Sequence, residues 1–352
     1  MIYIIAYFNK NFGDDLFVRT LVRRYPNEIF YVSERKKRIG DLSNEKNLKY
    51  NTFIRSIVLK IKKMVCKDES GLINNKKVKK AKALVRIGGS IFMEMPGWQD
   101  RKIRYDNKNV FYIGANFGPY TTLEYKEDVK DRIKQSISCC FRDKYSYKEF
   151  SDLNNVHYAP DVLFGYPYLP EYKKGETIGI SVIDFMGKSN LREYCEQYED
   201  GIVSLCNHYT SLGKKVSLLG FCEPEGDMNA VNRIMERIEK KELVSSICYD
   251  GEIDKFLDIL NDCEIIFATR FHAMILGFIM NKKVLPIIYS KKQTHVLEDM
   301  CFQGIIWNIL DGDNFSEELF NVDMNKVDDG TLSKLIAESE KQFYHLDVFL
   351  GK

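Results

Sequence analysis

The sequence has few of the residues that interrupt or specialise a fold: 8 prolines, 22 glycines, 2 tryptophans and 5 histidines in 352 residues. Collagen-like, low-complexity and disordered chains are therefore excluded. No apolar run reaches the roughly 18 residues of a transmembrane helix. The first residues have neither the basic segment nor the small-residue cleavage site of a secretory signal peptide, so we expect a cytoplasmic protein.

Several sequence motifs are also missing. The nine cysteines form no Cys-x-x-Cys pair and are odd in number, which favours reduced, mostly buried thiols over a disulfide framework. Dinucleotide-binding, P-loop and nucleophile-elbow motifs do not occur. No group of His, Cys, Asp and Glu has the spacing of a metal site, so we expect neither a protein-bound metal nor a resident cofactor.

The charged residues are unevenly distributed. Residues 1–165 contain 32 Lys and Arg against 19 Asp and Glu, whereas residues 166–352 contain 20 against 31. Net charges of +13 and −11 therefore add up to the +2 of the whole chain. A basic half suggests an anionic partner.

Short apolar runs alternate with helical stretches in both halves, a pattern typical of parallel β-α-β units. In the first half, residues 2–7, 28–32, 83–87, 110–114 and 137–141 are predicted strands, and residues 123–134 a helix. In the second half, the predicted strands are 177–183, 215–220, 243–248, 265–268 and 284–288. The predicted helices there are 191–211, 227–241, 253–260, 273–280, 296–301 and 332–343.

These elements predict an α/β protein with two tandem Rossmann-like domains that face each other across a cleft, a GT-B-like arrangement. A polar segment after two prolines sets the boundary, so the domains are residues 1–170 and 171–352, with a C-terminal helix in the second. Ligands of such sheets bind at the carboxyl ends of the strands.

Two segments place charged side chains at such strand ends. Arg270 and His272 lie where a predicted strand runs into a helix, whose N-terminus attracts anions. Arginine adds a bidentate fork for carboxylate or phosphate, and histidine exchanges protons near neutral pH. Arg142 and Asp143 have a similar position. Each residue also has a structural alternative. Arg270 could be a surface arginine, His272 a packing histidine, and Asp143 the cap of a helix.

Other candidates lie in neighbouring loops. Tyr289 and Lys292 follow a predicted strand, although a solvated lysine pair would look the same. Asn11 and Asp14 follow the first strand, where Asp14 could bind a sugar hydroxyl or cap a helix. Glycines after two further strands would let a ligand approach the backbone closely: Gly88, Gly89, Gly114 and Gly118.

Taken in the order in which they occur along the chain, these segments resemble the polysaccharide pyruvyl transferase family over most of the chain. The segments are Asn11 to Leu16, Ile87 to Gly89, Ile113 to Pro119, Phe141 to Ser146, Asp161, Thr269 to Ala273, and Tyr289 with Lys292. This sequence has Ile87 and Ser290 where family members often have glycine and aspartate. The family resembles a variant of the GT-B architecture.

The resemblance implies transfer of a pyruvyl group from phosphoenolpyruvate to a sugar, usually as a cyclic ketal. By similarity, Arg142, Arg270 and Lys292 bind the donor and His272 is the acid–base. Asn11 and Asp14 are candidates for the acceptor site.

The basic half carries its own prediction. Residues 55–83 contain ten Lys and Arg, and apolar residues recur at helical spacing over 54–65. This pattern predicts a basic amphipathic helix that packs on the sheet or binds an anionic membrane, where a lipid-diphosphate-linked acceptor would lie. No stacking aromatics accompany the basic residues, so no nucleic-acid partner is expected.

Two alternatives remain at this point. A nucleotide-sugar glycosyltransferase with the same architecture would need acidic residues for ribose, and the second domain offers Glu223 and Glu225 on a loop. A non-catalytic protein that binds anionic glycans or lipid carriers would need the basic half but not His272.

Overall fold

The computed structural model describes residues 1–51, 76–101, 109–312, 315–323 and 325–352. The chain divides into two compact units. Unit 1 comprises Met1–Phe8, Asp14–Gly165 and Ile336–Lys352, and unit 2 comprises Asn9–Gly13 and Tyr166–Leu335. The predicted amphipathic helix over 54–65 lies outside the described residues, as does most of the basic stretch 54–83.

Unit 1 is built on a parallel sheet of seven strands in the order β3-β2-β1-β4-β5-β6-β7. The strands are β1 Ile2–Ile5, β2 Phe30–Arg35, β3 Leu48–Asn51, β4 Ala83–Ile87, β5 Val110–Ala115, β6 Ser138–Phe141 and β7 Val156–Tyr158. Its helices in the described residues before 166 are α1 Phe12–Arg24, α2 Lys36–Ile39, α3 Lys76–Lys80, α4 Leu123–Lys134 and α5 Lys144–Glu149. The first two residues of α1, Phe12 and Gly13, belong to unit 2. Every residue of β5 and β6 is buried, as expected for central strands covered on both faces.

Unit 2 repeats the design with a parallel sheet of six strands in the order β10-β9-β8-β11-β12-β13. The strands are β8 Thr177–Val182, β9 Lys215–Gly220, β10 Val244–Cys248, β11 Cys263–Ala268, β12 Lys283–Ile288 and β13 Trp307–Asn308. The helices are α6 Cys195–Ser211, α7 Asp227–Arg237, α8 Ile253–Asn261, α9 Phe271–Ile279 and α10 Lys291–Asp299. With strands numbered within the unit, this order is the 3-2-1-4-5-6 of a Rossmann sheet. The strand order reverses between the neighbouring parallel strands β8 and β11.

Each unit has its own apolar core. The core of unit 2 includes the buried rings of Tyr198 and Trp307, and Gly201 of α6 lets the helix approach the indole. A Cβ built on Gly201 would lie 2.2 Å from an indole carbon of Trp307. In unit 1, the Phe141 and Phe150 rings stack at a centroid distance of 5.7 Å. The two parallel sheets confirm the predicted α/β class.

The domain boundaries differ from the prediction. Unit 1 ends at Gly165 rather than at residue 170, and the C-terminal helices α11 Asp329–Ser339 and α12 Tyr344–Leu350 cross back from unit 2 into unit 1. Asp347 explains why: its carboxylate accepts hydrogen bonds from Arg24 Nε at 3.1 Å, Arg24 Nη2 at 2.7 Å and the Tyr25 hydroxyl at 2.8 Å. The placement of the C-terminal helix in the second domain is thus corrected.

The eight cysteines in the described residues are all free thiols, and six of them are buried. Within the same parts of the chain, none of the helices has both the length and the apolar character that crossing a bilayer requires.

Candidate functional site

The predicted site residues form two groups, one in each unit. Arg142, Asp14 and the four glycines belong to unit 1. Arg270, His272, Lys292 and Asn11 belong to unit 2, because the short segment Asn9–Gly13 is part of that unit.

In unit 1, Arg142 follows β6 and is almost completely buried, with 3% of its surface exposed. Its Nη1 donates to Asp161 Oδ2 at 2.9 Å, and its Nη2 donates to Asn116 Oδ1 at 2.9 Å. The guanidinium also lies against the backbone of Gly89, where a Cβ would be 2.4 Å from Nη2. Asp161 and Asn116 therefore fix the fork, and glycine is required at position 89 to leave room for it.

Asp143 caps helix α5. Its Oδ1 accepts from the backbone N–H of Ser146 at 2.7 Å, and its Oδ2 accepts from the Ser146 hydroxyl at 2.9 Å. The Ser146 Oγ in turn accepts from the backbone N–H of Phe117 at 2.8 Å. Asp143 therefore caps the helix, as the structural alternative proposed, and the cap also holds the loop that carries Asn116.

The other glycines of unit 1 adopt backbone conformations that favour glycine. The φ angles of Gly88, Gly114 and Gly118 are +143°, +71° and +93°. Gly88 lies beside Asp14, whose Oδ1 would be 3.2 Å from a Cβ at that position. The backbone N–H of Gly114 donates to the Gln342 side chain at 2.9 Å. These contacts place Gly88 and Asp14 together and give Gly114 a structural role.

In unit 2, Arg270 immediately precedes α9 and bridges two carboxylates. Its Nε and Nη2 form a bidentate pair with Asp227, the Nε–Oδ2 distance being 3.1 Å. Its Nη1 donates to Glu225 Oε2 at 2.7 Å. Asp227 is completely buried and also accepts from the backbone N–H groups of Phe221 and Cys222 at 2.9 Å each. The guanidinium is thus oriented by one fixed carboxylate and one on a loop.

Glu225 is the more exposed of the two carboxylates, with 26% of its side chain accessible. It lies on a single turn, Glu223–Glu225, that follows β9. Asn11 Nδ2 donates to Oε1 at 3.4 Å, and Lys188 Nζ is 3.7 Å from Oε2. Burial alone would raise the pKa of Glu225, but Arg270, Lys188 and Lys292 together lower it below its ordinary value. Glu225 is therefore a carboxylate surrounded by cations.

His272 lies in the first turn of α9, and its imidazole is in contact with Gly13. A Cβ on Gly13 would be only 1.6 Å from Nδ1. The preceding residue, Phe12, anchors this segment: its ring packs on Tyr249 and Phe256 at centroid distances of 4.9 and 4.7 Å. Its N–H donates to the carbonyl of Phe221 at 3.1 Å. The Asn9–Gly13 segment thus brings Asn11 and Gly13 to the carboxyl end of the unit 2 sheet.

The loop that leads to Lys292 is held by a buried amide. Gln293 Nε2 donates to the carbonyls of Thr269 and Ile287 at 3.0 Å each, and its Oε1 accepts from the Tyr289 N–H at 3.1 Å. Lys292 Nζ lies 5.9 Å from the centre of the Tyr289 ring. Gln293 therefore connects the loop after β12 to the strand end that precedes Arg270.

Sequence reasoning missed several of these positioning residues. Asp227, Asn116 and Gln293 have no local pattern that would identify them, because each acts on a residue distant in sequence. The sequence suggests Glu225 only as a loop residue for nucleotide recognition, whereas in the structure it contacts Arg270 and Asn11. The described residues contain no group of three or more His, Cys, Asp and Glu side chains placed to hold a metal ion.

Fold and site together define a GT-B-like α/β protein. HepE of Anabaena, solved with UDP and glucose, aligns at 8% identity over 99% of this chain and 97% of its own, with a TM-score of 0.53. UDP-GlcNAc 2-epimerase of Methanocaldococcus jannaschii aligns at 12% identity over 97% of this chain and 98% of its own, with a TM-score of 0.56. These likenesses confirm the fold class. A comparison with curated protein sequences finds no significant match.

The model of one family, polysaccharide pyruvyl transferase, matches residues 11–291. This chain belongs to that family, as the resemblance predicted. The match spans the two arginines, His272 and the Asn11 segment, and it stops one residue before Lys292. Family membership makes the chain a transferase of the polysaccharide pyruvylation type.

Proposed function

We propose that the protein transfers the pyruvyl group of phosphoenolpyruvate to a sugar of a polysaccharide or glycan precursor and forms a cyclic ketal. The observation that carries this proposal is the cluster of unit 2, where Arg270 and His272 flank the start of α9 within the region that the family model matches. Cations and a helix N-terminus suit a compact polyanion, and a histidine beside them suits proton transfer.

In the proposed reaction, His272 delivers a proton to C3 of phosphoenolpyruvate. The methylene carbon becomes a methyl group and C2 becomes an oxocarbenium-type centre. A sugar hydroxyl bonds to C2 and gives its proton to the His272 imidazole, the bond between C2 and the phosphate oxygen breaks, and phosphate leaves. A second hydroxyl then bonds to C2, its proton passes to the phosphate, and the ketal closes. Arg270 and Lys292 would stabilise the negative charge of the departing phosphate.

Arg142 is the second proposed donor-binding arginine. Because Asp161 and Asn116 hold its fork in place, lysine cannot reproduce its geometry. Arg142→Lys is expected to raise the KM for phosphoenolpyruvate at least about tenfold, since a bidentate contact is lost. Asn11 and Asp14 remain proposals for the acceptor.

The first test is calorimetric titration of phosphoenolpyruvate into wild type and His272→Asn, with phosphate release measured in the presence of glycan acceptors. We expect both proteins to bind the donor and only the wild type to turn over. His208→Asn is the control, because His208 stacks on Phe320 at a centroid distance of 3.6 Å and is expected to leave turnover unchanged. Normal turnover by His272→Asn would remove His272 from the mechanism.

The same titration separates the alternatives. If the wild type does not bind phosphoenolpyruvate but binds a uridine or guanosine diphosphate sugar, the protein is a glycosyltransferase. If it binds glycans but catalyses neither reaction, the non-catalytic alternative holds.

We also propose that the acceptor is lipid-diphosphate-linked and that the basic stretch contacts an anionic membrane. Within its described part, Lys82 pairs with Glu28, and Lys77 Nζ lies 3.1 Å from the centre of the Tyr31 ring. Lys79 and Lys80 are exposed. Co-sedimentation with anionic vesicles at low salt is the expected result, and its absence would contradict the membrane contact.

A further inference from the structure

The two carboxylates that contact Arg270 are held very differently. Asp227 has no exposed surface, accepts two backbone N–H bonds and engages two nitrogens of the guanidinium. Glu225 engages the third guanidinium nitrogen from a partly exposed position, and its other contacts are longer, 3.4 Å to Asn11 and 3.7 Å to Lys188. Asp227 is fixed by the backbone and by two guanidinium nitrogens, whereas Glu225 is held by one guanidinium nitrogen from a partly exposed turn.

The surroundings of Glu225 are those of an anion receptor. Arg270 Nη1 donates to Oε2, and Lys188 Nζ lies 3.7 Å from the same oxygen. Asn11 donates an amide N–H to Oε1, and Lys292 adds a third positive charge nearby. With Glu225 turned away, three positive charges would face the single fixed charge of Asp227. A site with this excess suits a ligand that carries two or more negative charges.

The Glu223–Glu225 turn allows the Glu225 side chain to move at a small cost in free energy. Gly226 follows Glu225 with φ +91° and separates it from Asp227, the first residue of α7. The backbone N–H of Glu225 donates to the Cys222 carbonyl at 3.1 Å, so the turn can keep its backbone conformation while the Glu225 side chain rotates away from Arg270 Nη1. Asp227 would stay in place on its helix.

We propose that Glu225 is an internal competitor, a carboxylate of the protein that occupies the Nη1 side of Arg270 until an anionic ligand displaces it. The inference rests on the proposed function in one respect only, the identity of that ligand as phosphoenolpyruvate. Displacement sets a threshold: a ligand must offer more charge than the glutamate it replaces, so polyanions are favoured over simple monocarboxylates such as pyruvate.

The test compares wild type, Glu225→Gln and the control Glu223→Gln by calorimetric titration with phosphoenolpyruvate, inorganic phosphate and pyruvate. Glu223 lies on the same turn but is exposed. Removing a partly exposed competing charge is expected to lower the dissociation constant for phosphoenolpyruvate and phosphate by about three- to tenfold. Glu223→Gln should match wild type. Because damage to the fold would weaken binding, tighter binding cannot come from a merely structural role.

The outcomes separate this inference from the proposed function. Tighter binding of phosphate by Glu225→Gln, with phosphoenolpyruvate bound by neither protein, would support the competitor and overturn pyruvyl transfer. Equal or weaker binding of phosphoenolpyruvate by Glu225→Gln would overturn the competitor and leave the proposed function standing. A gain for pyruvate as large as that for phosphate would overturn the charge threshold. Absence of binding by both proteins for all three probes would overturn both proposals.

Discussion

At the scale of single residues, the site depends on glycines that leave space for charged or catalytic side chains. Gly13 contacts the His272 imidazole and Gly89 contacts the Arg142 guanidinium. At either position a Cβ atom would clash with the neighbouring side chain. The sequence pattern marked Gly89 for the approach of a ligand to the backbone. The approaching group in the structure is instead the protein's own arginine.

Gly13→Ala tests this requirement. The new methyl group would lie 1.6 Å from Nδ1 of His272, so the imidazole must move. Displacement of a proton-transferring group by about 1 Å costs on the order of a hundredfold in rate. We expect kcat for phosphate release to fall by that amount while phosphoenolpyruvate still binds. Wild-type kcat in this variant would show that His272 is not the acid–base or that its position is not critical.

The buried pair of Arg142 and Asp161 carries a stability prediction. Asp161→Asn keeps the size of the side chain but leaves the guanidinium without its counter-charge in a buried position, which costs about 3–5 kcal/mol. Urea denaturation should therefore show a lower midpoint for the variant. Asp152→Asn is the matched control, because Asp152 pairs with Lys130 on the surface at 2.7 Å and should leave the midpoint unchanged. Equal midpoints for the two variants would contradict the prediction.

At the scale of elements, the long buried strands and helices could be predicted and the short ones could not. The helix over 123–134 and the strands over 83–87 and 215–220 have the predicted bounds, because their apolar periodicity covers the whole element. The strands β3, β7 and β13 were missed, since two to four residues at a sheet edge carry little pattern. Helix α10 begins at Lys291 rather than at residue 296, because its first turn is polar.

The N-cap of α5 gives an element-scale prediction. Asp143→Ala removes the acceptor for the Ser146 N–H and for its hydroxyl, and the hydroxyl positions the loop at Phe117. Loss of an N-cap costs about 0.5–2 kcal/mol, and this buried one is expected near the upper limit. The measurement is the free energy of unfolding in urea. Asp143→Asn, which retains the capping acceptor, should recover most of the loss; if it does not, the cap is not the cause.

Helix α12 contributes a pH-dependent contact. His345 stacks on His157 at a centroid distance of 3.9 Å. Burial, together with the charge of His345, lowers the pKa of His157 to about 4, and burial lowers the pKa of His345. Unfolded imidazoles take up protons near pH 6.5, so the stabilisation is complete above that pH and is lost as the pH falls toward 4.

The melting temperature should therefore be lower at pH 5 than at pH 7.5. His157→Phe preserves a flat ring for stacking and removes one titrating group, so its melting temperature should depend less steeply on pH. A slope equal to that of wild type would mean that acid destabilisation arises elsewhere in the molecule.

At the scale of the whole molecule, alternation of strands and helices was enough to predict two α/β units, but not their membership. The return of residues 336–352 to unit 1 depends on Asp347, Gln342 and their partners, which are hundreds of residues away in sequence. No local pattern encodes such contacts. The pairing of Arg270 with Asp227 could not be predicted either, because the two residues are far apart in sequence. The arginine itself could be identified from its position at the end of a strand.

Gln342 is the residue on which this return should depend most. Its Nε2 donates to the carbonyls of Ala159 at 2.8 Å and Pro160 at 3.1 Å, and its Oε1 accepts from Gly114. Gln342→Ala leaves these buried groups unsatisfied at a cost of about 1–3 kcal/mol or more. Scanning calorimetry should show a lower melting temperature for the variant, whereas exposed Lys341→Ala should match wild type. Equal melting temperatures for the two variants would contradict the role of Gln342.

The division of the chain between the units also sets an order for folding during synthesis. The ribosome has made every residue of unit 2 once Leu335 is added, because the Asn9–Gly13 segment emerged long before. Unit 1, although it includes Met1, lacks Ile336–Lys352 until those residues leave the exit tunnel. The Arg24 guanidinium and the polar backbone groups around Gly114 must wait for Asp347 and Gln342. The half of the protein that is translated first is therefore the half that is completed last.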